Sequence, residues 1–313
     1  YLEYFGQDDE TKMILMYIEG VRAGHRFFET MRKVTLKKPV IVLKGGRGQS
    51  GTRATASHTA SLAGSMSIWN AAIKQAGGIN AEDIDEMVDI AAAFNYMPPM
   101  YNNRVGVSGG SGGSSVMGAD LSEEAGLNVI PLPEEIRSEL KAKGSPVWDW
   151  ISNPADFSIG MGGEFNVAEV LGLMAKNPNF DMLIMYMNNP MFRGGPRGGG
   201  QKPPDNRPSL DANGKPVQAT QQQHGPWGNA PPSLDEFIKP YTFEVLHKPF
   251  IAVQGDRGRN TDVTGAGNKA YIELNTKLNE NGLVSYPDIK RAANAASKLV
   301  NFYKTQKSRL ESM

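Results

Sequence analysis

The chain has no cysteine among its 313 residues and only four histidines. The first absence excludes disulfides, thiolate catalysis and cysteine metal sites, and it fits a reducing compartment, so a cytoplasmic location is the expectation. An excess charge of either sign is also missing, since 33 Lys and Arg are matched by 33 Asp and Glu. That balance gives no reason to expect a nucleic acid or an anionic membrane as partner. No apolar run approaches the ~20 residues that a spanning helix needs. The first residue is Tyr1, no signal peptide is visible, and further sequence is expected before it. What remains is an ordinary globular composition, long enough for two domains with cores of their own.

Apolar, β-rich runs alternate with amphipathic stretches along the chain. Strands are expected at Met13–Ile18, Pro39–Leu43, Arg104–Val107, Leu127–Ile130, Met182–Met187 and Phe250–Val253. Short runs that are apolar throughout suit parallel strands buried on both faces. Helices are expected at Val21–Leu36, 61–76, Asp83–Ala93, 114–125, 134–142, 165–176, 266–280 and 288–304. In the second of these, Met66, Trp69, Ile73 and Ala76 recur at helical spacing, and Gly77-Gly78 stops the run. Alternation of this kind predicts doubly wound parallel sheets of the α/β class. The Pro-rich stretch Met97–Asn103 reads as a break. The expected division is therefore one subdomain over 1–98, a linker at 99–103 and a second subdomain over 104–313. Residues 190–233 are rich in Gly, Pro, Gln and Asn and read as a long loop inside the second. Phe192, Arg193, Arg197 and Trp227 are its expected anchors on a domain or subunit surface.

The densest chemical signal follows the second strand. Lys44-Gly45-Gly46-Arg47-Gly48-Gln49-Ser50-Gly51 leads into Ala56-Ser57-His58-Thr59-Ala60-Ser61. Free amides at a helix start, with the helix dipole, favour an anion there. Arg47 adds fixed positive charge, and Ser57, Thr59 and Ser61 can cap the helix or bond phosphate oxygens. A neutral His58 imidazole in that setting can attack phosphorus. Turn geometry and simple capping explain the same residues equally well at this level. A Walker loop is excluded because no Gly-Lys-Ser/Thr follows at the right spacing, and a dinucleotide fingerprint fits poorly. A second strand–loop–helix pattern, Ser108–Gly113 opening at Ser114, again aims helix amides at an anion, with Gly112, Gly113 and Ser114 as its donors. His25, His224 and His247 have no metal-ligand partner at helical spacing, so surface or capping roles are expected of them and no metal site is expected.

The segment Gly46-Arg47 to Gly51, continued by Ser57-His58-Thr59-Ala60-Ser61-Leu62-Ala63-Gly64, resembles the phosphohistidine segment of the ADP-forming acetyl-CoA synthetases, which belong to the succinyl-CoA synthetase superfamily. Ala60 stands where that family usually has Gly. Ile14–Val21 with Glu19-Gly20, the 104–120 stretch with its glycine loop, Glu124–Leu127 and Ser152–Asp156 are similar to further family motifs, in the family's order. The resemblance covers roughly 1–187 and resumes near 249, and the 190–233 insertion has no counterpart in it. It implies two flavodoxin-like CoA-ligase subdomains, the first lacking its opening strand and phosphate loop. It implies a reaction joining a carboxylic acid to CoA at the expense of ATP, or its reverse, through an acyl phosphate and a phosphorylated His58, with Glu19 accepting a hydrogen bond from the imidazole. Arg47, Gly51 and the hydroxyls around His58 would hold the phosphate, and the helix opening at Ser114 would face the same phosphate. CoA and Mg-ATP or ADP would be bound mainly by an N-terminal Rossmann domain and an ATP-grasp unit outside this chain, within an oligomer. Two alternatives are a non-catalytic, synthetase-like regulatory module and half of a citrate-cleaving lyase. Glu19, Arg47 and His58 together favour catalysis over a sensor, and no lyase domain is visible.

Overall fold

In the computed structural model the described residues are 1–51, 53, 65–145, 148–156, 167–187, 233–254 and 265–313. They form two parallel sheets. The first has β1 (Ile14–Ile18), β2 (Val40–Lys44) and β3 (Ile79–Ala81) in that order. The second has β4 (Val105–Ser108), β5 (Met182–Tyr186), β6 (Phe250–Val253) and β7 (Val284–Tyr286), also in chain order.

The middle strand of the first sheet shows why its sequence reads as it does. All five residues of β2 are buried. Val40 and Val42 pack against Met31 and Val34 of α2 (Gly24–Val34) and Ile73 of α3 (Met66–Gln75). Ile41 and Leu43, pointing the other way, meet Met87 and Ile90 of α4 (Ile84–Tyr96). Alternate side chains thus feed two cores, which is the doubly wound arrangement. A short helix, α1 (Leu2–Gln7), precedes β1 and packs on α2. The second sheet repeats the plan. Val107, Ile184 and Val253 face one cluster, while Leu183, Met185 and Ala252 face the other. Around it lie α5 (Gly112–Glu124), α6 (Glu134–Ala142), α7 (Val167–Lys176), α8 (Leu234–Ile238), α9 (Phe243–Leu246) and α10 (Ala266–Glu280).

The last helix, α11 (Ile289–Glu311), ties the halves together. Its first part packs in the second sheet's core through Ala292, Ala296 and Leu299. Arg291 makes a two-pronged pair with Asp89 of α4, at 2.6 and 2.8 Å. Farther along, Lys298 bonds the Asn80 carbonyl at 2.7 Å and Glu86 at 2.6 Å. Arg309 bonds the Ala76 carbonyl and the Thr35 hydroxyl of the first half, at 3.0 and 2.8 Å. Gly77, with φ 78°, makes room for this contact, because a Cβ there would lie 2.0 Å from the Arg309 guanidinium. Met97 and Met100, in the stretch expected to be a linker, are buried in the second sheet's core.

Some expectations need correction. Leu127–Ile130 is not a strand. Asn128 makes a single bridge to Arg104, and the chain then turns toward Pro131 and Pro133, which cannot extend a ladder. The edge strands β3 and β7 were not expected; three residues with a polar one in the middle show no readable period. Helix α11 runs to Glu311, past the expected end at 304. Within the expected Lys44–Gly51 loop the chain is already helical at 49–51. The 190–233 loop and its anchors lie outside the described residues, except Ser233, which caps α8 by accepting from the Glu236 amide at 3.2 Å.

Candidate active site

Of the site residues that can be placed, Glu19, Arg47 and Gly51 gather at the carboxyl ends of β1 and β2, where ligand sites of open α/β sheets collect. The ladder continues one residue past the end of β2, because the Gly45 amide donates to the carbonyl of Ile18, the last residue of β1, at 2.8 Å. Glu19 is the first residue beyond β1. Its carboxylate accepts from the Tyr17 hydroxyl at 3.2 Å, and its carbonyl accepts from Lys44 Nζ at 2.6 Å. Lys44 Nζ also donates to the Gly45 carbonyl and lies 5.7 Å from the Trp69 ring centre. Burial lowers the Lys44 ammonium's pKa, and the nearby Glu19 charge raises it.

Gly46 takes a left-handed turn, φ 69°, that directs the chain away from the sheet. Arg47 then projects, exposed, between two clefts. One, of about 520 Å³, is walled by Tyr17, Lys44 and Gly45 on one side and by Glu82, Asp83 and Asp85 on the other. The second, of about 610 Å³, runs beside β3 and carries Lys74 of α3 and Lys298 of α11 on its walls. Lys298 is paired with Glu86, but Lys44, Arg47 and Lys74 still outnumber Glu82 there, so the cleft favours anions. Gly51 packs on the turn, since a Cβ added to it would lie 3.2 Å from Gly46 Cα. His58, Ser57, Thr59 and Ser61 lie outside the described residues.

The second glycine loop is differently employed. Gly109 and Gly110 both take φ 81° and pass over Tyr186. The Ser115 hydroxyl donates to the Gly109 carbonyl at 2.9 Å. Ser114 Oγ accepts from the Ser111 amide at 2.8 Å, and the pair forms a capping box at the start of α5. A Cβ on Gly112 would lie 3.3 Å from the Asp156 carboxylate, whereas Gly113 faces open space. The Ser152–Asp156 motif sits here because the Asn153 amide bonds the Val105 and Ile130 carbonyls, at 2.9 and 2.8 Å. The Ala155 amide bonds Val107 at 2.9 Å, which lays the motif along the free side of β4. Gly112, Gly113 and Ser114 line neither cleft at Arg47.

Sequence reasoning gave Tyr17 no role, and it placed Lys44 at the head of the glycine-rich loop without a role of its own. Their signals are a tyrosine two residues before Glu19, hence on the same strand face, and a lysine closing an otherwise apolar run. His25 is exposed on α2, and His247, at φ 53°, ends α9. Among the described residues no group of three or more acidic or histidine side chains could hold a metal, and no helix is long and apolar enough to cross a membrane.

The model of the succinyl-CoA ligase-like flavodoxin domain matches residues 1–94. Over 304 residues the chain is 31% identical to the α subunit of ADP-forming acetate–CoA ligase I of Pyrococcus furiosus, covering 97% of this chain and 55% of that one. The α subunit of ligase II from the same organism is 42% identical over 193 residues, covering 62% of this chain and 42% of that one. The chain thus spans about half the length of these relatives. The acetyl-CoA synthetase 1 of Candidatus Korarchaeum cryptofilum, solved with phosphate and ADP, superposes with a TM-score of 0.69 at 25% identity, over 100% of this chain and 57% of that one.

Proposed function

We propose, from the premise that this chain belongs to the ADP-forming acetyl-CoA synthetase family, that it is the phosphoryl-carrying part of an acyl-CoA synthetase. The complete enzyme would interconvert a carboxylic acid, CoA and ATP with acyl-CoA, ADP and phosphate, in the cytoplasm. The observation that carries this reading is the junction of Glu19, Lys44 and Arg47 at the carboxyl edge of the first sheet, from which the chain leads directly into Ser57-His58-Thr59.

In this reading an imidazole nitrogen of His58 attacks phosphorus, of ATP in one direction and of the acyl phosphate in the other. The nucleoside diphosphate or the carboxylate leaves, and the phosphoryl group passes on when the next acceptor attacks it. Glu19 accepts a hydrogen bond from the other imidazole nitrogen, which fixes the tautomer and stabilises the positive charge that builds on the ring. Arg47 stands where it can neutralise phosphate oxygens, with Gly51 and the hydroxyls of Ser57, Thr59 and Ser61 completing the cradle. The sequence also offers the amides of Gly112, Gly113 and Ser114 as a second contact from the other subdomain; with the Ser114 amide held by the Ser111 hydroxyl, the contact proposed here is made by Gly112 and Gly113. The division of the chain at 99–103 into two ligase subdomains belongs to the same proposal. Magnesium fits no carboxylate cluster among the described residues. Magnesium, nucleotide and CoA are assigned in this proposal to an ATP-grasp partner and a Rossmann domain. Residues 190–233 serve assembly, so deleting 194–229 should weaken partner affinity and leave phosphorylation intact.

The test uses the complete assembly with terminally labelled ATP and magnesium. This chain should acquire an acid-labile, base-stable phosphate, and His58→Ala should abolish both label and turnover. A variant that still labels and turns over overturns the carrier role. A regulatory module would acquire no label at all.

A further inference from the structure

We infer that Tyr17 and Lys44 are positioning residues that hold Glu19, one by its carboxylate and one by its backbone, for its contact with the His58 imidazole. The inference rests on the carrier reading above. Glu19 needs holding for a simple reason. It lies just past the last residue of β1 and is followed by Gly20, so the ladder does not fix it. Freezing a glutamate side chain costs rotamer entropy. A carboxylate meant to orient an imidazole is effective only if that cost has been met in advance.

Two hydrogen bonds do this. The Tyr17 hydroxyl donates to Glu19 Oε1 at 3.2 Å. A phenol keeps its proton at neutral pH, so the hydroxyl remains a donor. From the neighbouring strand, the Lys44 ammonium donates to the Glu19 carbonyl at 2.6 Å and to the Gly45 carbonyl, clipping the ends of β1 and β2 together. Gly45 is part of the device. A Cβ there would lie 2.5 Å from the Tyr17 hydroxyl, so any side chain would drive the hydroxyl off Glu19.

Neither residue is explained by the core. Tyr17 is 63% exposed, on the bare side of an edge strand, and contributes little burial. Lys44 is the opposite case, 9% exposed at the end of a strand whose other four residues are apolar. A methionine would fill a similar volume without the desolvation penalty that the ammonium carries. The two side chains that packing does not ask for both terminate on Glu19.

The experiment uses the complete enzyme with its nucleotide-binding partner and follows the rate at which phosphate from ATP appears on His58. Tyr17→Phe removes one hydroxyl. It should slow that step about tenfold, the size of a hydrogen bond to a charged group. The KM for ATP and the melting temperature should stay unchanged. Lys44→Met should slow it in the same way. In a Glu19→Gln background, Tyr17→Phe should add less than a twofold loss, because its effect passes through Glu19. A wild-type rate for Tyr17→Phe overturns the inference, and so does an undiminished loss in the Glu19→Gln background. If His58→Ala still labels, the carrier reading falls and takes this one with it. If His58→Ala is dead and Tyr17→Phe is normal, only the positioning role falls.

Discussion

The loops after β2 and β4 are written in nearly the same way and are built in opposite ways. Each follows a buried strand, is rich in glycine and leads into helical residues. After β4 the polar groups turn inward. Ser111 and Ser114 satisfy each other, Ser115 bonds Gly109, and the glycines bend tightly over Tyr186. Asp156 already stands beside the first turn of α5. After β2 the fixed parts, Lys44, Gly45 and Tyr17, hold Glu19, while Arg47 is left at the boundary of two clefts. A glycine-rich loop before a helix therefore does not by itself define an anion site.

Substitutions should separate the two loops. The largest effect is expected on the β2 side, where His58→Ala should lower turnover by more than ~10³-fold, the scale for losing a covalent carrier. Comparable residual turnover would remove the functional distinction between the loops. On the β4 side the largest effect should be on stability. At Gly109 an alanine must adopt φ 81° and would place its Cβ 2.9 Å from the Tyr186 carbonyl oxygen. Gly109→Ala should therefore destabilise the fold by about 2–3 kcal/mol, read as a shift of the urea midpoint. Arg47→Ala should slow His58 labelling roughly ten- to hundredfold, the worth of a charged hydrogen bond to phosphate. Its melting temperature should not move, since the side chain is exposed. Ser114→Ala should cost about 1 kcal/mol of stability through the lost capping box. The KM for phosphate should hold, because a contact made by backbone amides survives the truncation. The smallest effect is expected at Gly48, where an added Cβ meets nothing within 4 Å. Gly48→Ala should stay within ~0.5 kcal/mol of wild type.

Part of this arrangement was legible in the residues. β2 and β6 were found from their apolar runs, because a strand covered on both faces has no room for alternation. The helices at 134–142 and 266–280 stand where amphipathic stretches alternate with apolar runs. Leu127–Ile130 misled because an apolar run says that a segment is buried, not that it has a partner to pair with; Asn153 takes up the Ile130 carbonyl instead. Arg47 was flagged as chemistry by its residue type and Glu19 by the family resemblance, but the supports of Glu19 were not. Tyr17 and Lys44 look like a surface aromatic and a strand-end lysine until the register Ile18↔Lys44 sets the ends of β1 and β2 side by side.

The sequence by itself determined the class of the fold and the order of most of its strands and helices, and it named the candidates for carrying phosphate. Periodicity, glycine placement and side-chain chemistry are local properties that a single segment displays. Only the tertiary structure decided which strands are edges, which loop closes on itself, and how the halves are joined. The far end of α11 shows why. Gln306 and Arg309 bond the Thr35, Leu36 and Ala76 carbonyls of the first half. A helix end that works by satisfying backbone groups more than 200 residues away leaves no local mark, because the groups that need it become neighbours only once both sheets have formed.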